Sequence, residues 1–175
     1  MIVNPDFTFD VSLSQESFTD KIVANAMIGR STDEKNTEIR KKYGFTRGVS
    51  YERINVTPTT LLRSLTQGKC ACQLFNPKRP RKDGTFGTTD KRYENFVGAY
   101  CIFVDVDELS LKPTFAYTSY SNQQPGKGAR FRLCYVFFKP VQGIFHFRYL
   151  ASKVYERIEL DTHETIKDKC GLSPA

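Results

Sequence analysis

The chain has only two histidines, His146 and His163, and no apolar run approaching the ~20 residues of a membrane span. Its first residues, MIVNPDFTF, lack the basic segment and apolar stretch of an export signal. These absences predict a soluble chain that stays in the cytoplasm. Five cysteines, Cys70, Cys72, Cys101, Cys134 and Cys170, make an odd set. In an unexported chain they read as reduced thiols rather than a disulfide framework. Cys70 and Cys72 are spaced C-x-C with no second ligand pair nearby, a pattern that favours small buried residues in a strand over zinc. No internal repeat and no Gly/Ser linker divides the chain. One domain over 1–175 is therefore expected, with an α/β part at 1–75, a basic loop at 76–92 and a motif-bearing half at 93–175. The abrupt end at Ser-Pro-Ala predicts a fragment.

Charge is what the chain has in excess. Lys and Arg number 26 against 19 Asp and Glu, a formal net charge of +7, so the expected partner is a polyanion. An apolar content of 39% over 175 residues suffices for one real core. Phe7, Phe9, Val11 and Leu13 alternate with polar residues, which predicts a strand with one wet face. Phe18, Ile22, Ala26 and Met27 predict a helix over 17–28, and a short helix follows at 34–42. Thr57-Pro58 is an N-cap followed by proline at the first helical position, with Leu61, Leu62 and Leu65 as the apolar face and Gly68 as the stop. Residues 70–75 predict the next strand.

Residues 76–92 hold Lys78, Arg79, Arg81, Lys82, Lys91 and Arg92 among prolines and glycines. That segment is a loop without core residues, either a solvated charged surface or a contact for a phosphate backbone.

The chemistry concentrates in residues 101–138. In 100–107, Tyr100, Ile102, Val104 and Val106 occupy one strand face, while Cys101 and Phe103 precede Asp105 and Asp107 on the other. Apolar residues on both faces predict an interior strand. The two carboxylates then stand on one face at its C-terminal end, about 6 to 7 Å apart. At an effective dielectric of about 20 they repel by about 2 to 3 kcal/mol, so a cation belongs beside them. Carboxylates so placed suit Mg²⁺ or Mn²⁺, which in pairs activate a 3′ hydroxyl and neutralise departing pyrophosphate.

Residues 114–121 and 129–138 predict a hairpin with Pro125, Gly126 and Gly128 in its tip. Arg130 and Arg132 share a face with Cys134 and Val136, repeating the switch from buried to charged at a strand end. Fixed guanidinium pairs bind triphosphates, and Lys127, Ser119, Ser121 and Asn122 can complete such a site. The alternative is direct pairing of these arginines with Asp105 and Asp107. Phe147, Leu150, Ala151, Val154 and Ile158 then mark an amphipathic helix over 144–160.

FVDVDE, then PTFAYTSYSN, then RFRLCYVF followed by a helix, resembles the catalytic core of the archaeo-eukaryotic primase superfamily, in its phage, plasmid and mobile-element branch. The resemblance spans the second half of the chain. It implies an α+β fold with an antiparallel RRM-like central sheet backed by helices, in a bacterial cell or phage-infected host. It implies template-dependent nucleotidyl transfer from NTP or dNTP on single-stranded DNA, with a helicase as a further partner. Asp105 and Asp107 match the family's metal-binding Asp-x-Asp. Ser119, Ser121 and Asn122, with Lys127, Arg130 and Arg132, match its nucleotide-binding segment, although Ser121-Asn122 replaces a Ser-x-His pattern. Asp168, or alternatively Asp161, matches the third acid. The basic loop becomes a candidate template contact.

Two rivals follow. One is a primase-like module that binds single-stranded nucleic acid without catalysis, with Tyr117, Tyr120 and Phe86 as stacking residues. The other is a nickase, which needs a histidine pair that His146 and His163 do not supply.

Overall fold

Alternating apolar residues at the start of the chain form β1 (Phe9–Ser17), which buries Phe9, Val11 and Leu13 on one side. The structure, a computed structural model, describes residues 6–28, 33–45, 49–75, 95–107, 112–119 and 128–162. The other side of β1 is not the wet face that alternation predicts, because Ser12 and Ser14 are buried as well. Phe18, Val23, Ala24 and Met27 gather there with Tyr51 and Cys70. Ser14 stays satisfied, its hydroxyl donating to the Glu16 carbonyl at 2.6 Å and accepting from the Cys70 amide at 2.8 Å.

Helix α1 (Lys21–Ile28) starts later than expected because β1 continues through Ser17, which pairs with Lys69. Asp20 provides the start, its carboxylate accepting from the Ile22 and Val23 amides. In α2 (Glu34–Lys42), the buried Arg40 donates to the Ala26 carbonyl at 2.8 Å and ties the two helices together. Strand β2 (Tyr51–Val56), which the polar sequence does not advertise, pairs antiparallel with β1. Helix α3 (Pro58–Thr66) begins as expected, with the Thr57 hydroxyl accepting from the Thr60 amide at 3.2 Å.

The strand expected over 70–75 is two strands. β3 (Lys69–Cys72) pairs with β1, and β4 (Leu74–Phe75) pairs with β5 (Phe96–Val106), so the chain changes sheets at Gln73. Both Cys72 and Leu74 are buried on either side of this corner. The result is a three-stranded sheet ordered β2-β1-β3 and a four-stranded sheet ordered β4-β5-β7-β6, completed by β6 (Phe115–Thr118) and β7 (Phe131–Val141). All pairings are antiparallel. This is a mixed α+β chain.

The sheets face each other across a shared core of Phe9, Val11, Leu13, Leu61, Leu65, Cys101 and Cys134. Helix α4 (Ile144–Thr162) covers the far side of the four-stranded sheet with Phe147, Ala151, Tyr155 and Ile158 against Ile102, Val104 and Leu133. Covered on both faces and flanked by β4 and β7, β5 is the interior strand its sequence predicts. One residue departs. A register shift between Ala99 and Cys101 carries Tyr100 off the Ile102 face and into the core between the sheets, beside Phe9. Among the described residues, no helix is long and apolar enough to cross a membrane.

Candidate functional site

Period two and antiparallel register assemble the site. β5 and β7 pair Phe103 with Cys134 and Asp105 with Arg132, while β6 sets Phe115 opposite Cys134 and Tyr117 opposite Arg132. Rows of side chains therefore cross three strands on one face. The Phe103–Cys134–Phe115 row belongs to the core, and the next outward is Asp105–Arg132–Tyr117. Beyond it, Arg130 ion-pairs with Asp107, and the Ser119 amide donates to the Arg130 carbonyl at 3.0 Å. The switch from apolar to polar thus occurs on all three strands at one end of the sheet, and on β5 and β7 it is a switch to charge.

Arg132 binds Asp105 as a fork, with Nε on Oδ1 at 2.5 Å and Nη2 on Oδ2 at 2.8 Å. Both side chains keep about a third of their surface open, 34% and 35%. Arg130 and Asp107, further out, keep 43% and 46%. Burial works against the charge of Arg132, but its hydrogen bond to Asp105, reinforced by Tyr117, holds the guanidinium above its usual pKa. Tyr117 stands opposite Arg132 on β6, and burial pushes its pKa up to about 12 against the opposing pull of that cation. The tyrosine is neutral at physiological pH and lies on the side of Arg132 away from Asp105.

Of the residues expected to act, Asp105, Asp107, Ser119, Arg130 and Arg132 come together here. The direct Asp–Arg pairing that the sequence left as an alternative is the arrangement observed. Ser121, Asn122, Lys127 and Asp168 lie outside the described residues, as do Lys78, Arg79, Arg81, Lys82, Lys91 and Arg92. Asp161 does not join the acids. It sits on α4, 3.4 Å from Arg157, and its charge acts on Tyr135, which faces α4 across the opposite side of the sheet. The root of the basic loop is displaced too: Phe75 pairs with Phe96 at the far end of β5, about 30 Å along the strand from Asp105. His146 is exposed on α4.

Among the described residues, no three His, Cys, Asp or Glu side chains gather as a metal group. Asp105 and Asp107 alone offer hard carboxylate oxygens on one face, a donor type that fits Mg²⁺ or Mn²⁺. Their guanidinium partners show that the pair already attracts positive charge. Sequence reading missed the part of Tyr117, taken as a stacking ring, although its spacing from Ser119 puts it on the face of the arginines. Comparisons with protein-family models, curated proteins and solved structures give no match.

Proposed function

We propose that this chain is a template-dependent nucleotidyltransferase of the primase type, joining NTP or dNTP on single-stranded DNA. The observation that carries the proposal is the register Asp105–Arg132–Tyr117, with Asp107–Arg130 beside it. It sets two metal-type oxygen donors next to two phosphate-type forks on one open strand end. Arg130 and Arg132 bind and orient the triphosphate, Ser119 and the segment after it contribute hydroxyl and amide donors, and Tyr117 holds Arg132 in place. Asp105 and Asp107 hold Mg²⁺ or Mn²⁺, which when bound supplies charge neutralisation for attack of a 3′ hydroxyl on the α-phosphorus and loss of pyrophosphate. The superfamily resemblance of FVDVDE and RFRLCYVF supports the same reading, including an RRM-like core for the four-stranded sheet.

The test is primer synthesis on single-stranded template with Mn²⁺ or Mg²⁺ and labelled nucleotides. Wild type should yield labelled oligomers, and Asp105→Ala and Arg132→Ala should each lower the rate at least a hundredfold while leaving the circular-dichroism spectrum intact. Absence of product from wild type, with nucleotide binding unaffected by either substitution, overturns the proposal. A second reading, a non-catalytic module for single-stranded nucleic acid, draws on the closed Asp–Arg pairs. It predicts template binding that ignores both metal and Asp105→Asn.

A further inference from the structure

The Asp–Arg pairs consume the groups that each expected ligand needs. Arg132 occupies both carboxylate oxygens of Asp105 with two of its donors, and Arg130 engages Asp107. A divalent cation arriving alone meets carboxylates already neutralised and two guanidinium charges that repel it. A triphosphate arriving alone must displace carboxylates from the guanidinium groups while facing two negative charges. When both arrive, each guanidinium exchanges carboxylate for phosphate and each carboxylate exchanges guanidinium for metal. The penalty of opening the pairs is then incurred once rather than twice.

We infer that the Asp105–Arg132 and Asp107–Arg130 pairs form an interlock that makes metal and triphosphate binding mutually dependent at this site. The inference rests on the proposed function for the identity of the two ligands. By linkage, the factor by which metal tightens nucleotide equals the factor by which nucleotide tightens metal. Half-exposed ion pairs each resist opening by about fivefold, so the two together set a coupling on the order of tenfold to thirtyfold.

The test measures dNTP affinity by calorimetry in EDTA and in Mg²⁺, and Mn²⁺ affinity with and without dNTP, for wild type and Asp105→Asn. Wild type should bind dNTP at least tenfold more weakly in EDTA. Asp105→Asn should bind it several-fold more tightly than wild type in EDTA, because Arg132 is freed, and should lose most of the gain on adding metal. A ligand-free double-mutant cycle of Asp105→Asn and Arg132→Gln, read as melting temperature, should be non-additive. Wild-type affinity that is equal in EDTA and Mg²⁺, with no tightening in Asp105→Asn, overturns the interlock and leaves the nucleotide site standing. An additive melting cycle also overturns it. No dNTP binding by either protein under any condition removes the nucleotide reading itself, and the interlock with it.

Discussion

Tyr135 carries a phenolic oxygen that is buried without a hydrogen-bond partner among the described residues. A buried hydroxyl with no partner loses water contacts and gains nothing, so its removal is favourable where the ring still packs. Tyr135→Phe should therefore leave the fold unchanged and hold or raise stability by up to about 1 kcal/mol in thermal melts. The same side chain makes stability depend on alkaline pH. Burial, and secondarily the charge of Asp161, pushes its pKa up to about 12 from the ordinary 10.0. The folded state therefore keeps a proton that the unfolded chain releases. That contribution is complete below pH 10 and is lost as pH rises from about 10 to about 12. Melting temperature should fall over that window, and less steeply in the Phe variant. At this scale the sequence was most readable where polarity changes along a strand: Asp105, Asp107, Arg130 and Arg132 are where period two puts them. Tyr117 and Tyr155 were not, because a tyrosine belongs equally to core and surface. Tyr155 is fully buried, its hydroxyl 3.4 Å from the Phe103 carbonyl, on the back of the strand that carries the acids.

The turn between α3 and β3 shows how an element is placed by one residue. Gly68 has φ +89°, its carbonyl accepts from the Phe18 amide at 2.8 Å, and a Cβ there would be driven into the Phe18 carbonyl group. Conformation and contact thus both require glycine. Gly68→Ala should destabilise by about 2 kcal/mol or more, seen as a lower midpoint in urea, whereas Thr57→Ala at the other end of α3 should remove only about 1 kcal/mol. Both residues were legible as helix boundaries, since capping and termination are local chemistry. The β6–β7 hairpin and α4 were legible for the same reason. The start of α1, the existence of β2 and the corner at Gln73 were not, because each depends on a distant partner: Lys69 for Ser17, β1 for β2, and β5 for β4. The same limit applies to Tyr100, displaced by a register shift that only the pairing with β7 reveals.

For the whole molecule, the length of β5 separates its acidic end from Phe96, which pairs with Phe75 just before the basic segment, by about 30 Å. The linear order agrees with this, since the basic segment precedes the strand and the acids close it. The separation turns the two roles given to the loop, solvated surface or template contact, into distinguishable ones. If Lys78, Arg79, Arg81 and Lys82 contact template phosphates, each contact releases counterions, and for single strands the logarithm of affinity falls with the logarithm of salt by about 0.7 per phosphate. Replacing all four with serine should then make the slope shallower by up to about 3 and weaken binding of single-stranded DNA at low salt. Nucleotide affinity should stay unchanged, because the groups proposed to hold the triphosphate are Arg130, Arg132 and Ser119 and not these four cations. Titrations of labelled single-stranded DNA from low to moderate salt, paired with calorimetry of dNTP, measure both quantities on the same proteins. An unchanged slope assigns the loop to solvent. A changed slope with weakened dNTP binding would instead assign these cations to the nucleotide site as well.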